Sequence, residues 1–84
     1  IMNSFIESCI DEVRGHREKA ATVFRAYIKW AKENNEWEMS NTRFGKEMGK
    51  RFERERGTGG ITNYCDLKIH DEYKENYYPD RYYA

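Results

Sequence analysis

The sequence predicts a mainly α fold, in which three helices are followed by one small β-hairpin. Three observations carry this reading. Two stretches, residues 2–13 and 20–31, repeat apolar residues at the i, i+3, i+4 spacing of an amphipathic helix. Farther on, Phe44, Met48 and Phe52 recur every four residues behind Ser40, a good helix-capping residue. The glycine cluster Gly57-Thr58-Gly59-Gly60 then precedes a run of period-two alternation, the pattern of a hairpin.

The first helix rests on Met2, Phe5, Ile6, Cys9, Ile10 and Val13, with Asn3 or Ser4 as its cap and Gly15 just past its end. The polar stretch RGHREKA reads as a linker with at most a short extended piece. The second helix carries Ala20, Val23, Phe24, Tyr27, Ile28 and Ala31 as one stripe, with Trp30 at its edge. Arg25, Lys29, Lys32 and Glu33 cover its other side. Asn34 and Asn35 stop it, because asparagine tolerates the left-handed conformation.

In the third helix, Arg43, Lys46, Glu47 and Lys50 form a charged face apart from the apolar row. Gly45 and Gly49 weaken this helix by about 1 kcal/mol each relative to alanine. Glycines four apart point to close approach by another backbone, with helix packing the plainer reading and a ligand the other. Beyond the turn, Ile61, Cys65, Leu67 and Ile69 share one parity, and Thr62, Tyr64, Asp66 and Lys68 the other. Arg54 and Arg56 lie on the hairpin's first arm. Residues 1–70 read as the domain and 71–84 as a tyrosine-rich tail, where Pro79 breaks any helix.

The chain of 84 residues is long enough for one domain. Domains of this size bury only about 60% of their unfolded surface. Two tryptophans, four phenylalanines and seven tyrosines therefore matter for the core, and they argue against disorder. Mean hydropathy is −1.11 and 36% of residues are charged, as expected of a solvated surface.

Fifteen basic residues balance fifteen acidic ones, but not locally. Residues 1–39 hold six basic and seven acidic side chains, residues 40–63 six and three, and residues 64–84 three and five. The net charges are −1, +3 and −2, so positive charge is concentrated in the third helix and the hairpin's turn.

Cys9 and Cys65 stand alone without a CxxC, so reduced thiols are expected rather than a disulfide framework. His16 and His70 do not complete a zinc-finger spacing and read as surface residues; no metal and no cofactor is expected. No apolar run is long enough to span a membrane and no signal peptide is evident, so a cytoplasmic location is expected.

Helix, helix, short turn NNEWEMS, helix, hairpin is the order of a winged helix-turn-helix, three helices plus a wing. In that architecture the third helix enters the DNA major groove with its N-terminal residues on base edges. Asn41, Thr42 and Arg43 occupy those positions here. Arg43, Lys46, Lys50, Arg54 and Arg56 are placed to neutralise phosphates, which makes binding salt-dependent. Arg51 follows on the same helix beside Phe52, and Glu47, Glu53 and Glu55 dilute the patch.

The runs FIESC, VFRAYIKWAKENN and SNTRFGKEMGKRFERERGTGG, in that order, resemble the C-terminal domain of phage and plasmid primase–helicases, to which a poxvirus-type domain is related. Phe24, Tyr27, Trp30, Glu33 and Asn34 match the family's first motif. Ser40, Phe44 and Gly45 match its second, and Phe52, Arg56, Gly59 and Gly60 its third. The resemblance covers residues 5–69. It implies a winged-helix DNA-binding module at the end of a larger replication protein of phages, plasmids or mobile elements. A P-loop helicase, and sometimes a primase, would lie upstream. The implied partners are origin DNA or helicase-bound DNA, double- or single-stranded, and other domains or subunits of a helicase ring. The acidic residues near the wing and the tyrosine-rich tail depart from the family pattern.

Nothing in the chain itself reads as catalytic. It has no GxxxxGK[ST] to cradle phosphates and no nucleophile–histidine arrangement with supporting context. The tyrosine pairs at 77–78 and 82–83 read as packing or tail residues. Two alternatives use the same scaffold. One is a protein–protein interaction module of the same replication protein, and the other is a stand-alone transcriptional regulator, which would need a dimerisation element. The hairpin decides the fold: a helix across residues 53–69 would exclude this architecture.

Overall fold

The computed structural model describes residues 2–74. Its elements run α1 (Met2–Cys9), β1 (Ile10–Lys19), α2 (Ala20–Glu33), α3 (Asn41–Gly49), β2 (Arg54–Arg56) and β3 (Thr62–Ile69). Short 3-10 turns cover Thr58–Gly60 and Asp71–Tyr73. The strands form one antiparallel sheet in the order β1-β3-β2.

This sheet corrects the expected fold class. Helices take 51% and strands 29% of the described residues, so the domain is α+β. It is not a mainly α winged helix-turn-helix whose only β structure is a small hairpin. The missed element is β1, which contains the end of the expected first helix and the polar linker. Ile10 and Val13 belong to this strand and not to α1. Helix α1 ends where the Cys9 carbonyl accepts from the His70 amide at 2.8 Å and Ile10 pairs with Ile69. The strand is held by its backbone ladder to β3, and most of its side chains face water. Charged side chains along such an edge discourage pairing with other chains.

A bulge lies between Glu12 and Arg17, which pair with Leu67 and Cys65. Five residue steps on β1 therefore oppose two on β3. Gly15 sits in the bulge at φ +86°, where its amide donates to Asp66 Oδ1 at 2.8 Å. Asp66 is itself at φ +62°. This irregularity breaks the parity expected for β3. Tyr64, Leu67 and Ile69 are buried, while Cys65 is partly covered and Ile61 is 45% exposed.

Helix α2 matches its stripe. Trp30, expected at the edge, is buried together with Val23, Ala26, Tyr27 and Ala31. Asn34 caps its end, with its side-chain amide donating to the Trp30 carbonyl at 2.8 Å, and Asn35 takes φ +54°. The three helices meet on an aromatic cluster. Phe5 meets Tyr27 edge-on at 5.4 Å, and Tyr27 stacks on Phe44 at 4.8 Å. Each such pair contributes about 0.5–1.5 kcal/mol beyond its buried area.

The sheet closes the core with Tyr64, Leu67 and Ile69, and Met39 joins from the loop before α3. Glu18 is a buried carboxylate on β1; it accepts from the Ile69 amide at 3.0 Å and faces Lys74 at 3.4 Å. The turn Asp71–Tyr73 packs against α2, where Lys29 Nζ donates to the Glu72 carbonyl at 2.6 Å. The rest of the tail, including both tyrosine pairs and Pro79, lies outside the described residues. Among the described residues, no helix is long and apolar enough to cross a membrane.

Candidate nucleic-acid interface

Helix α3 begins as its sequence requires. Ser40 is in extended backbone conformation and its Oγ accepts from the Arg43 amide at 3.2 Å. Phe44 and Met48 turn into the core, which directs Asn41, Thr42, Arg43, Lys46 and Lys50 to solvent. Phe52 lies past the helix end, partly buried against the core.

Among the described residues, what approaches the glycines of α3 is a side chain and not the backbone of a neighbouring helix. They face the guanidinium of Arg54 on β2. A Cβ at Gly45 would lie 3.7 Å from Arg54 Nη1, and one at Gly49 would lie 3.6 Å from Nη2. Arg54 thus lies along the bare flank of the helix. It pairs with Tyr64 across the sheet. Burial pushes the Tyr64 hydroxyl pKa up, and the nearby Arg54 charge opposes that shift.

Asn41, Thr42, Gly45, Lys46 and Arg54 line an open groove of about 390 Å³, completed by Ala20, Thr62 and Tyr64. Among the described residues, no carboxylate lines it. A second open groove of about 360 Å³ lies on the outer face of α3, lined by Ser40, Thr42, Arg43, Lys46, Glu47 and Lys50. Thr42 and Lys46 form the ridge between the two.

The expected cations differ in what holds them. Lys46, Arg54 and Arg56 make no ion pair among the described residues. Lys50 Nζ donates to Glu47 Oε2 at 3.2 Å. That hydrogen bond, helped by the Lys50 and Arg51 charges, holds the Glu47 carboxyl below its usual range. Arg51 turns toward α1, with Nη2 donating to Asn3 Oδ1 at 3.4 Å. Glu55 is bridged by Arg17 at 3.1 Å. Two of the three carboxylates expected to dilute the patch, Glu47 and Glu55, are thus already engaged by cations. Arg56 sits exposed where β2 enters the turn and lines neither groove.

Sequence reasoning missed one residue of this surface. Trp37, in the loop before α3, is 60% exposed, and the Arg43 guanidinium lies over its ring at 5.4 Å. The available signal was its position: a tryptophan between two glutamates, outside every apolar stripe.

The described histidines are on the sheet side, His16 near Glu18 at 3.3 Å and His70 near Asp11 at 3.2 Å. Both thiols are free; Cys9 is fully buried, and burial pushes its pKa up to about 12. Among the described residues, no group of three or more His, Cys, Asp or Glu side chains could hold a metal ion.

Together the fold and this surface define a small α+β domain with a cationic helix face set against a sheet edge. Residues 2–81 match the family described as poxvirus D5 protein-like, and the chain belongs to that family of primase–helicase-related domains. The resemblance drawn from the sequence holds at this level. Membership supports a place in a viral primase–helicase-like replication protein. No curated protein matches the chain.

Proposed function

We propose that the chain is a DNA-binding accessory domain of a phage, plasmid or mobile-element primase–helicase. In this reading it is non-catalytic, and it engages origin or helicase-bound DNA through α3 and the β2–β3 turn. One observation carries the reading: a chain with no net charge gathers Lys46 and Arg54 around a groove without carboxylates. The groove adjoins the first turn of α3, where Asn41 and Thr42 can reach base edges. Arg43, Lys50 and Arg56 extend the contact to phosphates on either side.

The test is fluorescence anisotropy with a labelled duplex and a labelled single strand at two salt concentrations. Each phosphate contact contributes about −0.9 to the slope of log affinity against log salt. Lys46→Ala should weaken binding and flatten that slope by roughly 1. Arg43→Ala combined with Lys46→Ala should abolish binding at the higher salt. An absence of binding at low salt would defeat the proposal.

A second reading has its own observation. A groove of about 400 Å³ between α1, β1 and the end of α3 has Ile6, Ile10 and Phe52 as its apolar lining and Glu7, Asp11 and Glu12 among its polar residues. A basic, apolar segment of a neighbouring helicase subunit would complement it, so the domain would contact protein on this face and DNA on the other.

A further inference from the structure

We infer that Trp37 is a stacking site for one unpaired nucleobase, which gives the domain a preference for junctions between duplex and single strand. The inference rests on the DNA-binding reading and adds to it the form of DNA preferred.

The loop that carries Trp37 is fixed at both ends. The Glu36 amide donates to the Ala31 carbonyl at 2.8 Å. The buried Tyr27 hydroxyl donates to the Trp37 carbonyl at 2.6 Å and accepts from the Met39 amide at 3.1 Å. Ser40 then caps α3. The indole is therefore presented by an ordered backbone, yet it remains 60% exposed. Single exposed apolar residues are common, but tryptophan is on average among the well-covered types. Rigid presentation lowers the entropy lost when a ligand stacks on it.

Its surroundings select the ligand. Arg43 lies over the ring at 5.4 Å, and Arg43 lines the same outer groove as Lys46 and Lys50. The indole thus stands at the N-terminal end of a cationic stripe. A strand whose phosphates lie along that stripe can place a base on the indole, with Arg43 beside the linking phosphate. A base pair inside a duplex cannot do this, because both of its faces are stacked on neighbouring pairs, whereas an unpaired overhang base leaves a face free. Glu36 and Glu38 are exposed on either side of Trp37 and repel a backbone that continues past it. The site therefore suits a base at the edge of a duplex better than a long single strand.

The experiment uses the full chain with three labelled DNAs: a blunt duplex, the same duplex with a short single-stranded overhang, and the overhang strand alone. Stacking of one base is expected to favour the overhang duplex over the blunt one by about tenfold. Trp37→Ala should remove that preference, whereas Trp37→Phe should keep part of it. Emission gives a second readout. Trp30 is only 4% exposed, so quenching by the overhang duplex should come from Trp37 and vanish in Trp37→Phe. Equal affinity for blunt and overhang duplexes, unchanged by Trp37→Ala, would overturn the inference while leaving the DNA-binding reading intact. Failure of all three DNAs to bind in a salt-dependent way would overturn both.

Discussion

Replacing Tyr27 with phenylalanine tests the joint between the core and the candidate interface. The ring itself is kept, so stacking on Phe44 at 4.8 Å and the edge contact with Phe5 at 5.4 Å survive and no cavity opens. Only the hydroxyl is lost. It bridges the Trp37 carbonyl and the Met39 amide, at 2.6 Å and 3.1 Å. Met39 is 6% exposed, so its amide is left without a partner and without water. The Trp37 carbonyl belongs to an exposed residue and can be rehydrated. One orphaned buried donor costs about 1–3 kcal/mol, so a loss of about 2 kcal/mol is expected. In a domain of this size each kcal/mol moves the melting temperature by about 4–8 °C. Melting followed by circular dichroism should therefore fall by about 8–16 °C. Amide hydrogen exchange at Met39 should lose protection before the rest of α3 does. A fall below about 3 °C, or unchanged exchange at Met39, would refute the claim that this hydroxyl anchors the loop.

Other perturbations read other parts of the structure. Gly15→Ala forces a side chain into φ +86° within the β1 bulge and should destabilise the domain by about 1–2 kcal/mol, measurable by chemical denaturation. Gly45→Ala should raise stability by up to about 1 kcal/mol through helix propensity, because its new Cβ meets Arg54 only at 3.7 Å, an ordinary contact. The same methyl group narrows the groove, so DNA affinity should fall while melting temperature rises. The Cys9 thiol, held protonated to about pH 12 by burial, binds its proton more tightly folded than unfolded. Its contribution is complete below the unfolded value of 9.0 and is lost as pH rises from there through about 12. Stability should therefore decline above pH 9, with Tyr64 and Tyr73, whose pKa values burial also raises, adding to the decline at higher pH. Cys9→Ala should delay the onset of this decline. At pH 8 a thiol reagent should label Cys65 in the folded protein and Cys9 only on unfolding.

The parts of the fold that were legible in the sequence are those where a side chain fixes the backbone locally or where burial repeats with the helical period. Ser40 and the α2 stripe are of this kind, as is the turn at Gly59 and Gly60, which take φ +74° and +77°. Strand β1 was illegible because neither cause operates there. Its pairing energy lies in backbone hydrogen bonds, and an edge strand with solvated side chains carries no alternation to read. The β3 face was misassigned for a related reason. Parity holds only while the ladder is regular, and the bulge around Gly15 and Asp66 resets it. At the candidate site, the α3 cations were visible because they share one helix. Arg54 could be grouped with them from the order of elements, but the groove it shares with Lys46 was not legible, because that depends on how the Arg54 side chain lies against Gly45 and Gly49.

That packing explains how a chain without net charge can hold a cationic site. Acidic side chains are not excluded from this half of the molecule; Glu47 and Glu55 both lie near it. They are kept from the groove by being occupied, Glu47 by Lys50 and Arg51 along the helix, and Glu55 by Arg17 across the sheet. Bare glycine on α3 then leaves room for the exposed Arg54 guanidinium to lie beside the helix, where an added Cβ would be in ordinary contact with it at 3.6–3.7 Å. A guanidinium held in this way loses less freedom on meeting a phosphate than one on a free side chain, and its planar fork is suited to that partner. The two glycines weaken the helix by about 1 kcal/mol each at most, and the aromatic cluster beneath Phe44 offsets that loss. Fold stability and a preset cation thus depend on opposite faces of the same nine residues of α3. Substitutions on one face can therefore change the cationic surface while leaving the core intact.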